Sequence, residues 1–409
     1  MYTGNRNGHP LINRLKDILN QNELRAFRVI YEMGPISRVK ITRILKLTRA
    51  AVTGITKRLE EVGLIMEVGK EASSNRRGRK EILLTVNPDA CLIVSIHIAL
   101  HYFTIGLVNF SGKILTKKTM NYPSHSSPPE VLEPLVKTIR ALLKENNLDP
   151  NKIFGIGVAL PGIVNYEEGH LNENPFPEGW QGFKIRKYLE DQMETTVFIE
   201  NDVKTLTLGE YQFGTGYHVN NMICLWLEDG IGVGLVHNGH LIRGTTSSAG
   251  EIGYSEFFVD LPFKKTILMD GSSRRWGDIL SFTNLQNTIR RGIDQGWKTD
   301  LKKDSSIDDL IASALAKDPL ALYILRLEGQ FIGNIVMNLI YTFNPQVFLL
   351  VGLLFNKLPL LSEEIQKALS QGLLQSPLET LEMRTSNLGE NGITVGGAAL
   401  VLEHLFKAS

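Results

Sequence analysis

The chain has 409 residues, 43% of them apolar and 21% charged, with a formal net charge of +1. That length exceeds what one core accommodates well, so two or three domains are expected. No apolar run reaches the length of a membrane span, no apolar signal core opens the chain, and Cys91 and Cys224 lie far apart in apolar runs, which points to a cytoplasmic protein without disulfides or a membrane anchor.

The small net charge hides an asymmetry. Residues 1–90 hold 17 Lys and Arg against 9 Asp and Glu, whereas the remainder holds 27 against 34. A basic head on an acidic body points to nucleic acid at one end, with an ordinary basic domain as the alternative. The pattern inside the head decides. From Glu23, apolar residues recur at helical spacing (Leu24, Phe27, Ile30, Tyr31) until Gly34-Pro35 breaks the helix. Ser37 then caps a helix over RVKITRIL, with Val39, Ile41, Ile44 and Leu45 facing inward. A turn at Lys46-Leu47 leads to Thr48, which caps a third helix with Val52, Ile55, Leu59 and Val62 inward. Lys46 stands at the turn position where glycine is common. Three short helices so spaced form a helix-turn-helix whose last helix enters the major groove. The candidate DNA contacts are Arg38, Thr48, Arg49, Ala50, Thr53 and Lys57. Two strand runs, Leu64–Val68 and Glu81–Val86, flank a loop carrying Arg76, Arg77, Arg79 and Lys80. This reads as the wing of a winged helix, suited to phosphate contact or the minor groove.

Pro88 marks the boundary, so the head spans 1–88 and the body 89–409. In the body, strands over 91–98 and 102–108 and a third edge after Gly112 precede a helix from Pro128 to Asn146 and the strand IFGIGV. The same grammar recurs from Met222, and a long amphipathic helix over Asp318–Phe343 stops at Asn344-Pro345 before the strand VFLLVG. A duplicated α/β body with a cleft is expected, its lobes covering about 89–200 plus the C-terminal helix, and 201–395. Between Ile199 and Tyr254, polar groups fall at strand ends and helix starts, where α/β folds bind ligands. Asn201, Asp202 and Glu251 suit a hydroxyl-rich ligand, because each carboxylate accepts several O–H bonds.

The motifs GIGVALPGIVNYEEGHL, ENPFPEGW, ENDVKTLTLGEYQFG, DGIGVGLVHNGHLIRG and AGEIG, in order and spacing, resemble the ROK family of sugar kinases and sugar-responsive repressors. The head segments LTRAAVTGITKRLEEVGLI and RRGRKEILLTVN resemble those of its regulators. The resemblance implies an actin/hexokinase-like fold of duplicated ribonuclease-H-like lobes behind a winged helix-turn-helix. It implies sugar contacts at Asn174, Asn201, Asp202 and Glu251, with Asp278 as the nearest candidate for a further glutamate and Gly277 as the alternative aligned position. Asp202 matches the family's catalytic base. Trp180 and Tyr254 are candidates for stacking on a sugar face, with a place in the core as the commoner alternative.

The family's kinases hold ATP with an Asp-x-Gly-Gly-Thr-Lys loop, for which this chain has Ile96-His97-Ile98-Ala99-Leu100-His101. Bare glycine backbone is what lets amides reach phosphate. Their second phosphate loop, Gly-Thr-Gly, is Glu228-Asp229-Gly230 here, and the glycine pair facing adenine is Gly352-Leu353. Like charges at about 4 Å cost on the order of 4 kcal/mol at an effective dielectric near 20. No ATP and no phosphoryl transfer are expected. The family's zinc site needs a His at Tyr254 and three cysteines beyond it, and no cysteine follows Cys224, so no metal is expected. The expected function is therefore a sugar-responsive regulator, most simply a repressor of carbohydrate genes. Its expected partners are an operator duplex, a sugar effector and further copies of itself as a homodimer or homotetramer, the last from the family and from the apolar helix around Leu325–Leu339, whose exposed side needs a partner or a core. The rivals are an active sugar kinase with an accessory head, and a regulator answering to a protein partner through a vestigial cleft.

Overall fold

The structure is a computed structural model and describes residues 19–71, 81–173, 175–256, 267–268, 273, 275–372 and 374–406. Three helices open it: α1 (Gln21–Met33), α2 (Arg38–Leu45) and α3 (Arg49–Glu61). Each starts at a side-chain cap. Asn20 forms a capping box with Glu23, Ser37 accepts from the Lys40 amide, and Thr48 accepts from the Ala51 amide. Lys46 takes the left-handed conformation at φ 54°, so the turn keeps its geometry without glycine. The two-residue β1 (Ile36–Ser37) joins β2 (Ile65–Glu71) and β3 (Glu81–Val86) in a sheet ordered β1-β3-β2. Ile41, Leu45, Val52 and Leu59 are buried, as the spacing predicts. Ile44 is 43% exposed, whereas Thr56 is fully buried.

The body holds two five-stranded sheets. The first has β4 (Leu92–Ile98), β5 (Tyr102–Asn109), β6 (Ile114–Asn121), β7 (Ile153–Leu160) and, after the small hairpin β8 (Ile163–Asn165) and β9 (His170–Glu173), β10 (Val197–Asn201). Its helices are α4 (Pro128–Glu145) and α5 (Ile185–Met193), followed by α6 (Asp202–Phe213). The second sheet has β11 (Met222–Leu227), β12 (Ile231–His237), β13 (His240–Leu241), β14 (Val347–Val351) and β15 (Glu382–Thr385). The spatial orders, β6-β5-β4-β7-β10 and β13-β12-β11-β14-β15, are the same when each set is counted from its first strand. In both, the first three strands pair antiparallel and the last two add parallel. Repetition of this order, strand by strand, is the duplication that the sequence grammar predicts.

Packing divides the chain into a unit of residues 1–209 and 393–409 and a unit of residues 210–392. The division falls inside α6 rather than before it, because Thr205 of α6 packs on Gly396 of the last helix: a Cβ on Gly396 would lie 2.1 Å from the Thr205 carbonyl oxygen. Unit 2 also carries α7 (Trp276–Ile279), α8 (Phe282–Asp294), α9 (Ile307–Leu315), α10 (Pro319–Phe343), α11 (Leu353–Lys357), α12 (Pro359–Gly372) and α13 (Gln375–Thr380), and the chain ends on α14 (Gly392–Phe406).

α10 decides between the two alternatives, a partner or a core, in favour of the core. Its apolar residues Leu325, Leu327, Phe331, Ile332, Ile335 and Val336 are buried in the core of unit 2, so they call for no partner chain. The helix is long and apolar enough to span a membrane, but 67% of its apolar window is buried inside the fold. It is a core helix. In unit 1 the head packs on the body through aromatic rings: Phe27 of α1 lies 6.2 Å from Phe110 and 5.8 Å from Phe406, and Tyr31 lies 5.2 Å from Phe406.

Candidate functional site

The exposed face of α3 carries Arg49, Ala50, Thr53 and Lys57, and its cap Thr48 is exposed as well. The Thr53 hydroxyl donates to the Arg49 carbonyl oxygen at 2.8 Å, and Lys57 reaches Glu61 at 3.8 Å, an exposed pair of small worth. Arg38 differs from these. Its guanidinium donates to Thr56 Oγ1 at 2.8 Å, to Glu60 at 3.0 Å and to Glu67 at 3.2 Å. Those bonds tie the start of α2 to α3 and to the wing strand β2, so Arg38 belongs to the internal framework of the head. The same bonds explain why Thr56, rather than a second apolar residue, faces inward. Arg76, Arg77 and Arg79 lie outside the described residues.

In unit 1, β10 delivers a run of buried polar residues to the start of α6: Glu200, Asn201, Asp202 and Lys204. Asn201 is the organiser. Its Nδ2 donates to the Gly162 carbonyl oxygen at 3.0 Å, and its Oδ1 accepts from the Lys204 amide at 3.0 Å, which satisfies one of the open N–H groups of the helix. Asp202 accepts from the Val203 amide at 2.8 Å, and Glu200 accepts from the Asn201 amide at 3.0 Å. A carboxylate at a helix N-terminus is favoured by the helix dipole, and its two oxygens carry enough lone pairs to accept ligand hydroxyls beside a fixed amide bond. Asn174 lies outside the described residues. Trp180 takes the core alternative: it is fully buried, stacks on Phe176 at 4.5 Å and donates its indole N–H to the Ser126 carbonyl oxygen at 2.9 Å. It is a core residue and no ligand can stack on it.

Unit 2 holds the other two expected ligand acids. Gly250 sits at φ 88°, and its carbonyl oxygen accepts from the Val233 amide at 3.1 Å. A Cβ there would lie 1.8 Å from the Val233 carbonyl oxygen, so only glycine lets this loop dock on β12 and present Glu251 beside it. The 3-10 turn Ile252–Tyr254 packs against α7 with Gly253 and Gly277 in backbone contact, which sets the helix bearing Asp278 against the turn that follows Glu251. Asp278 is exposed and accepts from the Ser273 hydroxyl. Tyr254 is 52% exposed, with the Arg275 guanidinium 5.8 Å from its ring centre.

The two hairpin corners that correspond to the kinases' phosphate loops are tight turns with ordinary closing bonds. At β4–β5 the Ala99 amide donates to the Tyr102 carbonyl oxygen at 2.9 Å, and the Tyr122 hydroxyl donates to the Ala99 carbonyl oxygen. His97 is buried beneath, edge-on to Tyr102 at 5.7 Å, and burial pushes its pKa down to about 4, so it is neutral and offers phosphate no charge. At β11–β12 the Glu228 amide donates to the Gly230 carbonyl oxygen at 3.0 Å. Burial raises the Glu228 pKa, a bond from the Trp226 side chain opposes it, and the Asp229 charge adds to the rise. Zinc fits no better, because Tyr254 stands at the histidine position and no cysteine follows Cys224.

Sequence motifs missed several buried polar residues. Glu200 and Lys204 flank the Asn201-Asp202 pair, and Glu210 is held by the Ser386 hydroxyl and, at 3.1 Å, by the Thr215 amide. Their signal was present as charged residues inside an otherwise apolar strand-to-helix run.

Comparison with known proteins agrees with this geometry. The ROK family model matches residues 93–404, and the MarR family model matches residues 19–71. The xylose repressor of Bacillus spizizenii is 25% identical over 94% of this chain and 95% of its own length. The DNA-binding transcriptional repressor Mlc of Escherichia coli K12 is 25% identical over 100% and 98%. A solved ROK family transcriptional regulator, described as a homologue of Mlc, superimposes with a TM-score of 0.80 at 25% identity, covering 94% of this chain and 96% of that one. A model that spans most of the body, with the duplicated sheets and the winged head both in place, settles the assignment: this chain belongs to the ROK family.

Proposed function

We propose that the protein is a carbohydrate-responsive transcriptional regulator, a repressor whose hold on its operator is released by a sugar, and that it has no kinase activity. One observation carries this reading: a winged head and a polar carbohydrate corner share a chain whose two phosphate-loop positions lack the kinases' glycine loops and, at Glu228 and Asp229, carry acids. Relatives of nearly full coverage named for xylose or as the repressor Mlc support it. DNA is contacted by Thr48, Arg49, Ala50, Thr53 and Lys57, and by Arg76, Arg77 and Arg79 of the wing. Hydroxyls of a pentose or hexose are bound by Asn201 and Asp202, by Glu251 and Asp278, and by Asn174. Such a regulator works in the cytoplasm, as a dimer whose two heads read two half-sites.

Release requires that the sugar favour one conformation over another by its differential affinity. A route for the signal exists inside unit 1. Asp202 begins α6, Thr205 of the same helix packs on Gly396 of α14, and α14 ends at Phe406 against Phe27 and Tyr31 of the head. The test is a panel of pentoses, hexoses, amino sugars and disaccharides applied to the protein bound to its operator. One sugar class is expected to release the duplex without nucleotide. Release by none of them, with ATP-dependent phosphorylation of a hexose instead, would replace this reading with the kinase.

A further inference from the structure

Gly54 lies in the middle of α3, on its exposed side, and nothing among the described residues asks for a glycine there. A Cβ built at Gly54 meets no atom of the described residues within 4 Å, and the backbone there is not in the left-handed region. Glycine is the poorest helix former after proline, so an exposed mid-helix glycine weakens the element it sits in. With packing against the described residues and backbone conformation both set aside, a surface outside the chain that comes closer than a methyl group allows accounts for the glycine.

Gly54 shares one face of α3 with Ala50, Thr53 and Lys57, at the i, i+3, i+4 and i+7 spacing that aligns side chains along a helix. The chemistry of that spot is apolar. In mid-helix the backbone N–H groups are engaged in the helix ladder, so the bare backbone presents Cα–H rather than a donor for phosphate. Ala50 and Ala51 add methyl groups beside it, and the Thr53 hydroxyl is turned to the Arg49 carbonyl oxygen. Among the groups that a major groove projects, the apolar one is the thymine C5-methyl.

We infer that Gly54 is a specificity-determining position, where a thymine methyl group of the operator seats directly on the backbone of α3. This rests on the DNA-binding reading above and adds to it a base preference. The experiment uses the full-length protein and an operator selected by it from random duplexes. Failure of the wild-type protein to enrich any duplex would sink the DNA-binding reading itself, independently of the base preference. With an operator in hand, Gly54→Ala is expected to keep or raise the melting temperature, since it improves the helix and meets open space. It is expected to lose about tenfold in affinity, the scale of one good base contact. Replacing operator thymines one at a time by deoxyuridine removes only the methyl group. At one position this should restore most of the affinity of Gly54→Ala while lowering that of the wild type modestly. Wild-type affinity in Gly54→Ala, a loss that no deoxyuridine position restores, or a selected core without thymine would each overturn the assignment. Gly54→Ser, scored on the same deoxyuridine series, checks that the effect follows bulk at this position.

Discussion

The two body sheets run in the same strand order, yet the units around them bury acids on opposite terms. In unit 1, Glu200 and Asp202 each accept a backbone amide next to them, at 3.0 and 2.8 Å, so the β10–α6 corner is organised before any ligand arrives. In unit 2, Glu328 is buried within α10 with neither carboxylate oxygen hydrogen-bonded among the described residues, and burial raises its pKa to about 8. Burial alone therefore does not mark a functional acid. What separates the two is the donor set, because a carboxylate held by fixed N–H groups is positioned for ligand hydroxyls, while an unbonded one simply retains its proton.

Glu328 gives the largest expected effect. Its folded pKa stands above the 4.5 of the unfolded chain, so unfolding releases a proton between pH 4.5 and about 8, and stability falls as pH rises through that window. Glu328→Gln removes the dependence. The variant should match the wild type near pH 4.5 and exceed it by about 3 kcal/mol at pH 7, read from denaturant unfolding at both values. Equal pH slopes for the two proteins would mean that Glu328 is ionised and partnered.

Asp202 tests the other side of the contrast. A sugar present at about 100-fold its dissociation constant adds about 2.7 kcal/mol to wild-type stability. Asp202→Ala should abolish that gain and the release of operator while leaving operator affinity unchanged, and Glu251→Ala should do the same. Joint loss of operator binding would show that these acids hold the fold instead.

Two arginines of the head sharpen the comparison between framework and contact. Arg49→Ala should lower operator affinity by roughly 1–3 kcal/mol with an unchanged melting temperature, as expected of a residue that reads a base edge. Arg38→Ala removes bonds to Thr56, Glu60 and Glu67 and should destabilise the head by about 1–2 kcal/mol, detected as earlier melting of the free protein. A purely DNA-side effect of Arg38→Ala would return it to the interface. Smallest of all, Tyr122→Phe takes away the bond to the Ala99 carbonyl oxygen, with a loss of about 1 kcal/mol and no gain of nucleotide binding by calorimetry.

The parts of the fold that were legible in the sequence are those with local chemistry. Ser37 and Thr48 announced helix starts through their caps, and Asp318 and Asn344 bound the long helix. The two-residue strand β1 was not legible, since Ile36 and Ser37 are too short for a period and are set by pairing with Leu84 and Leu83. The inward side of α2 and α3 was only partly so: Arg38 buries Thr56 through a hydrogen bond, a choice that hydropathy does not encode. Whether a partner or the core covers α10 was not legible for a related reason, because periodicity shows that a face is apolar but not what covers it. At the candidate site, Asn201 and Asp202 stood out by motif, whereas Glu200 and Lys204 carried only the weaker signal of charges in an apolar run, and their burial comes from β10 and α6.

The most direct test of the account is a single titration of the operator-bound protein with sugar, in the presence and absence of ATP, with release of DNA and formation of ADP followed together. Release by one class of sugar, unchanged by ATP and with no ADP formed, is the predicted result. Nucleotide turnover, or release that requires ATP, would contradict it.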